Sequence, residues 1–262
     1  MKGGYMKYIT LPPLTNKQKE IPPLIYRFRY INRQQFQKLT NEPHRPNMAT
    51  RLKQLENAKY LKSLYEKEQK TLYIPAEYCM GNIGINYLKT LGYDPKTLKK
   101  FYSDAKRSPQ FIKKCLFIVD VYLTLLSQSK NSKYKFEFYT QADFIPTGPM
   151  KELMQDFGYV YETKNELISY TGEIFDTLMS DGAVRFRVKR YFEFFAEEKV
   201  ESHIIFICPT EHIYKVITKQ TRRLLEAELT EDNIHFSITT IERMRTGDIG
   251  EEIRNQPLGS SG

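Results

Sequence analysis

Cysteine is scarce in this chain. Cys79, Cys115 and Cys208 are far apart and show no CxxC spacing, so the sequence offers neither a disulfide framework nor a cysteine-based zinc site. The three are expected to be buried thiols. No apolar run approaches the roughly 18 residues that a membrane-spanning helix needs. The amino terminus, MKGGYMKYITLPPLTNKQ, lacks the apolar core of a signal peptide. These absences lead to the expectation of a cytoplasmic protein with no membrane partner. There is no GxxxxGK[ST] phosphate loop, which excludes an ATPase of that type. His203, His212 and His235 show no metal-ligand spacing, and no internal repeat or extended low-complexity tract is visible.

What is present describes a folded protein. Of 262 residues, 40% are hydrophobic and 27% charged, with 19 Tyr and 16 Phe, enough for two ordinary domains with cores of their own. The net charge of +9 is unevenly spread. Residues 1–130 carry 24 Lys and Arg against 9 Asp and Glu, whereas residues 131–262 carry 16 against 22. The basic half suggests a polyanionic partner, because Lys and Arg that neutralise phosphates release condensed counterions; solubility is the plainer reason for such a charge.

The chain reads as follows. Residues 1–20, with Pro12 and Pro13, suggest a loosely held arm. PPLIYRFRY opens with prolines suited to a first helical turn and spaces Leu24, Ile25 and Phe28 as a helix does. Asn32 is placed to cap a second helix, RQQFQKLT, and NEPHRPN then breaks the chain. A third helix from about Asn47 has Met48, Leu52 and Leu55 as its buried stripe. YLKSLYE and TLYIPA follow as strands around the turn KEQK, and then comes a helical run, NIGINYLKTL.

Short helices followed by a hairpin are the order of a winged helix-turn-helix, and NMATRLKQLENAKYLKSLYEKEQKTLYIPA resembles that family over residues 21–92. Ala58-Lys59 departs from it, standing where a glycine of positive φ is common. On the third helix, Asn47, Thr50 and Gln54 face away from the stripe, flanked by Arg51 and Lys53, with Arg45 at the start. Such residues can pair with base edges and phosphates of double-stranded DNA, and the resemblance implies that this helix enters the major groove. The wing would carry Lys67, Gln69 and Lys70 to the backbone or minor groove. A solvated helix face is the plainer account of any one of these residues.

Residues 93–107 form a basic connector, and Ser108-Pro109 opens an apolar helix, QFIKKCLFIVDVYLTLLSQ. A strand, YKFEFYTQADF, follows, then an irregular or briefly helical stretch over residues 145–165 and a strand near 166–171. AVRFRVK, YFEFFAEEK and SHIIFICPT read as successive strands, EHIYKVITKQTRRLLEAEL as a helix and NIHFSITTIER as a last strand, before a polar tail over residues 246–262. The expected fold is α+β, an N-terminal winged helix-turn-helix followed by an α/β domain over residues 108–245. The order of that domain resembles the core of restriction-endonuclease-like nucleases.

In those enzymes an Asp begins the second core strand, and a Glu or Asp followed two residues later by Lys lies on the third. The resemblance assigns these roles to Asp181, Glu197 and Lys199 as catalytic residues, with Asp181 and Glu197 as ligands of a Mg²⁺ ion. A hairpin turning near Lys189-Arg190 would bring them together, and strand alternation would turn Glu198 away. A twisted hairpin with charged ends is the structural alternative.

Over residues 20–245, RYINRQQFQKL, RLKQLENAKYL, KKCLFIVDVYLTLL, SDGAVRFR and YFEFFAEEK resemble the replication-relaxation family of bacterial plasmids and integrative elements. That resemblance implies a DNA-binding accessory or initiation protein with a degenerate nuclease-like domain, working with replication or conjugation proteins and able to form a homodimer. Two alternatives stand beside it. One is an active Mg²⁺-dependent endonuclease, and the other is a transcriptional regulator with a ligand-sensing or dimerisation domain.

Overall fold

The computed structural model describes residues 11–64, 75–131, 135–143, 153, 155–162, 167–198, 201–227, 234–246 and 251–253. It is a mixed α+β structure that divides into two compact units, Met1–Leu116 and Phe117–Gly262. The division falls inside the apolar helix: the second unit starts at Phe117, nine residues beyond the sequence-based start at 108, because Ile112 and Cys115 pack with Tyr30 and Cys79 of the first unit.

In the first unit, one-turn α1 (Asn16–Lys19) is capped by Thr15, and α2 (Ile21–Phe28) follows with its prolines in the first turn. The described part of the expected arm is therefore ordered. Gln18 is buried, and the Tyr60 hydroxyl donates to the Pro12 carbonyl at 2.5 Å. The two-residue strand β1 (Ile31–Asn32) leads into α3 (Arg33–Leu39), where Asn32 and Gln35 form a reciprocal capping box. Next come α4 (Arg45–Asn57), β2 (Leu61–Leu64) and β3 (Glu77–Met80), and the three strands form an antiparallel sheet in the order β1-β3-β2. Residues 71–74 of the expected strand TLYIPA lie outside the described residues, and β3 follows it in the chain. Lys59 takes a φ of +61°, so the turn after α4 has the left-handed backbone although no glycine supplies it. The unit continues through α5 (Asn82–Thr90), α6 (Pro95–Leu98) and a 3₁₀ segment over Lys99–Lys106. Asp94 caps α6, its carboxylate accepting from the backbone N–H groups of Lys96 and Thr97. Asp104, fully buried in the 3₁₀ segment, is ion-paired to Arg29 at the end of α2. Burial pushes the Asp104 carboxyl up, and the Arg29 guanidinium counteracts it.

Helix α7 (Pro109–Asn131) spans the division, and the second unit places six strands in the order β4-β5-β6-β7-β8-β9. These are β4 (Lys135–Thr140), β5 (Phe157–Glu162), β6 (Leu167–Ile174), β7 (Ser202–Cys208), β8 (Ile234–Thr240) and β9 (Glu251–Ile253). The pairs β4–β5, β5–β6 and β8–β9 are antiparallel; β6–β7 and β7–β8 are parallel and need crossovers. The crossovers are α8 (Asp181–Glu198) and α9 (Glu211–Ala227), and a short helix, α10 (Ile241–Arg245), follows β8. Ile204, Phe206, Cys208, Phe236 and Ile238 pack with Val184, Val188 and Phe192 of α8 and Ile213 and Ile217 of α9. Tyr122 of α7 stacks on Phe136 and meets Phe138 edge-on, both on β4. Cys79, Cys115 and Cys208 are buried free thiols, as expected. Among the described residues no helix is long and apolar enough to cross a membrane.

Several elements differ from the sequence reading. Residues 157–162 are a strand and not irregular, the end of the expected strand NIHFSITTIER is the helix α10, the expected polar tail holds β9, and the two strands expected at AVRFRVK and YFEFFAEEK are the single helix α8. Val184, Val188, Tyr191, Phe192 and Phe195 recur at intervals of four, three, one and three, and all are buried, which is the stripe of a helix. The aromatic and β-branched composition favours strands locally, but no Gly, Pro, Asn or Asp stands at Lys189-Arg190 to make a hairpin turn. Burial between the sheet and α9 decides the outcome.

A helix and a hairpin make opposite demands on Phe186 and Val188, which would share a face in a strand and lie on different sides of a helix. Phe186 is 69% exposed and Val188 is fully buried. Replacing Phe192 with Ala is expected to lower unfolding free energy by about 3–5 kcal/mol, and Phe186→Ala to change it by no more than about 0.5 kcal/mol. Urea unfolding followed by circular dichroism measures both.

Candidate nucleic-acid interface and the acidic cluster

In the first unit, α4 is oriented by one carboxylate. Glu42, buried in the turn before the helix, accepts from Arg51 Nη2 at 2.8 Å, from Lys17 Nζ and Asn47 Nδ2 at 3.5 Å, and from the His44 backbone N–H at 3.4 Å. The hydrogen bond from Arg51, before the others, holds the Glu42 carboxyl down from its ordinary 4.5 to about 2. With Met48, Leu52 and Leu55 buried, the helix has one rotational setting, and Asn47, Thr50, Lys53, Gln54 and Asn57 are exposed. Arg45 is exposed at its first turn.

The residues expected to meet DNA therefore separate. Arg45, Asn47, Thr50, Lys53 and Gln54 are presented to solvent, with the Gln54 side-chain oxygen accepting from Gln18 Nε2 at 2.9 Å. Arg51 is turned inward, 10% exposed, and its guanidinium is committed to Glu42, so its first role is to hold the helix. Lys67, Gln69 and Lys70 of the expected wing lie outside the described residues. Lys96, Lys99, Lys100, Lys106 and Arg107 of the connector are exposed and add positive charge to the unit.

In the second unit, Asp181 and Glu197 do not come together. They are the first and next-to-last residues of α8, and 16 steps of a helix rising about 1.5 Å each separate them by roughly 24 Å. Asp181 instead meets His212 Nε2 at 2.9 Å, a pair largely exposed at the amino-terminal ends of α8 and α9. The side chain of Glu197 and all of Lys199 lie outside the described residues. Two ends of one helix cannot ligate a single Mg²⁺, so Asp181 and Glu197 do not fit that ion, and the hairpin that would have joined them is absent.

The sheet brings together a different acidic pair, which the sequence reading missed. Asp156 stands just before β5 and is buried; its carboxylate accepts from the Ile174 backbone N–H at 2.8 Å, and its own N–H donates to the Gly172 carbonyl at 3.0 Å. Gly172 is required here, because a Cβ at that position would overlap the ring of Phe157, its register partner. Glu173 on β6 accepts from Arg187 Nε at 3.3 Å, from Arg187 Nη2 at 2.9 Å and from the Tyr191 hydroxyl at 2.7 Å. Arg187 also donates to the Leu153 carbonyl. Burial works against the Arg187 charge, but the Glu173 carboxylate more than offsets this and holds the guanidinium above its ordinary value. Burial, with Glu173 second, pushes the Tyr191 hydroxyl well up, so it stays a donor. A hard cation needs open carboxylate oxygens. Here Arg187 and Tyr191 occupy those of Glu173, so the cluster does not suit Mg²⁺ and works as an internal brace between β6 and α8. Glu173 within YTGEIF, a lone charge near the end of an otherwise uncharged strand, was the available signal.

Compared with family models, with curated proteins and with solved structures, the chain matches none.

Two outcomes follow. Because the folded carboxyl of Glu42 titrates near 2 and the unfolded one near 4.5, its contribution is complete above pH 4.5 and lost as pH falls toward 2. The melting-temperature difference between the protein and its Glu42→Gln variant is expected to be constant above pH 5 and to shrink steadily below pH 4.5. For the brace, Arg187→Met leaves Glu173 buried without its cation and is expected to cost about 3–5 kcal/mol. The double variant Arg187→Met/Glu173→Gln is expected to recover most of that loss in denaturant unfolding.

Proposed function

We propose that the first unit is a winged helix-turn-helix that binds double-stranded DNA through α4, and that the second is a nuclease-like α/β domain serving as a scaffold and not as a cutting site. The observation that carries the reading is the outward face of α4. Asn47, Thr50, Lys53 and Gln54 stand exposed opposite a buried stripe, on a unit whose residues 1–116 hold 23 Lys and Arg against 8 Asp and Glu. Amide, hydroxyl and ammonium groups at this spacing can meet base edges and phosphates of one major groove. The order helix, strand, two helices, two strands, with the first strand pairing the last, supports the winged-helix reading. Helix, three antiparallel strands, helix and parallel strand support the nuclease-like reading of the second unit.

In that unit Asp156 at the second strand and Glu173 on the third occupy the acidic positions of the nuclease pattern, but Phe175 stands where the lysine belongs and Arg187 neutralises Glu173. That arrangement favours a DNA-binding accessory or initiation protein over an active endonuclease. Its place on a bacterial plasmid or mobile element rests on the sequence resemblance alone.

Fluorescence anisotropy with duplex DNA tests the reading. With about 5 phosphates contacted, log affinity is expected to fall with log salt at a slope of roughly −4 to −5. Thr50→Ala and Gln54→Ala should reduce discrimination between sequences, each good base contact being worth about 1–3 kcal/mol. Lys53→Ala should weaken all duplexes and lower the slope by about 1. An affinity indifferent to salt, or unchanged in all three variants, would contradict the proposal.

A further inference from the structure

We propose that Glu201, His203 and His235 form a binding site for one divalent transition-metal ion, Zn²⁺ by its ligand chemistry, at the edge of the second unit where β7 and β8 begin. Sequence spacing hides it, because 32 residues separate the two histidines. The parallel register removes that distance. His203 and His235 are direct partners on β7 and β8, so their side chains leave the same face of the sheet. Their rings stack with centroids 4.5 Å apart and planes within 14°. Tyr170, the partner of His203 on β6, packs its ring 5.0 Å from the other side of His203. The stacking keeps the two imidazoles side by side, and coordination of one ion would tilt the rings so that both Nε2 lone pairs meet at it.

Both imidazoles direct Nε2 to the same carboxylate oxygen, Oε1 of Glu201, at 3.5 Å from His203 and 3.4 Å from His235. The three ligand atoms all lie within 4.8 Å of one another. These contacts are longer than a charge-assisted hydrogen bond, which spans about 2.7–2.9 Å. The two carboxylate–imidazole distances match edges of a coordination tetrahedron, where bonds of about 2.0–2.2 Å set neighbouring ligands roughly 3.3–3.6 Å apart, and the two imidazole nitrogens, within 4.8 Å, would close the third edge as the ion draws the rings together. Two imidazole nitrogens and one carboxylate select zinc-like ions over Mg²⁺ or Ca²⁺, which prefer oxygen alone. The histidine side chains are 17% and 15% exposed and that of Glu201 is 71% exposed, so the ion enters from the carboxylate side and keeps a position for water. Bound there, it ties Glu201 to the second residues of two strands. The site lies on the face opposite Glu173, whose register partner is Phe206, and is separate from the acidic cluster.

The test uses the full chain without a histidine tag, freed of metal by chelation. Titration calorimetry with Zn²⁺ is expected to give one ion per chain, and Co²⁺ to give the visible absorption of a four-coordinate ion. His203→Gln, His235→Gln and Glu201→Gln should each weaken binding at least about tenfold. Zn²⁺ should raise the melting temperature of the wild type by several degrees and that of His235→Gln much less. Glu201→Gln alters an exposed side chain, so its effect is read on a protein whose fold is checked by circular dichroism. Absence of binding up to about millimolar Zn²⁺, or wild-type affinity in Glu201→Gln and His235→Gln, overturns the proposal.

Discussion

The ion pair between Glu42 and Arg51 is the interaction on which the functional reading depends. A buried carboxylate in the turn before α4 must be satisfied, and it draws in Arg51 from the helix, Lys17 from the amino-terminal segment and the His44 N–H from its own turn. Rolling the helix would pull Arg51 away from this carboxylate, so the ion pair fixes the helix about its axis. Once the roll is set, the sides of α4 have separate tasks. Met48, Leu52 and Leu55 supply the core, Arg51 supplies the lock, and Asn47, Thr50, Lys53 and Gln54 remain for a partner. A recognition surface works only if its side chains are held at fixed positions by the layer beneath, and here that layer is a salt bridge over an apolar stripe.

The second unit uses the same device for another end. Arg187 reaches from α8 to Glu173 on β6, and Tyr191, one turn further on, donates to the same carboxylate. A carboxylate that a nuclease would leave open to a metal and its water is here closed by a guanidinium fixed in the fold. Positive charge beside Glu173 is permanent, and the consequence is rigidity where chemistry would need an exchangeable ion.

How far the sequence could be read depended on whether local pattern and tertiary packing agreed. Where they agreed, the elements stand where expected: the helix cap at Asn32, the stripe of α4, the apolar helix α7, the strand at Ser202–Cys208 and the helix α9. Lys59 takes a positive φ at the turn after α4, although the residue is not glycine. Local pattern and packing disagreed at α8. There Val, Phe and Tyr favour a strand residue by residue, while the spacing of Val184, Val188, Tyr191 and Phe195 fits only a helix. Misreading that element joined Asp181 to Glu197, which stand near the two ends of α8. The inward turn of Arg51 and the meeting of His203 with His235 were not legible at all, since each depends on a partner that only the folded chain brings near: Glu42 for one, the register of β7 and β8 for the other.

The central claim, that the exposed face of α4 lies against duplex DNA, is tested most directly by photocrosslinking from single positions. Cys79, Cys115 and Cys208 are buried, so a thiol-reactive benzophenone can be directed to a new surface cysteine at Thr50→Cys or, on α9 of the second unit, at Lys219→Cys. The account predicts salt-sensitive crosslinks to duplex DNA from position 50 and background yield from position 219. Crosslinks from position 219 with none from position 50, under conditions where the labelled proteins still bind DNA, would contradict it.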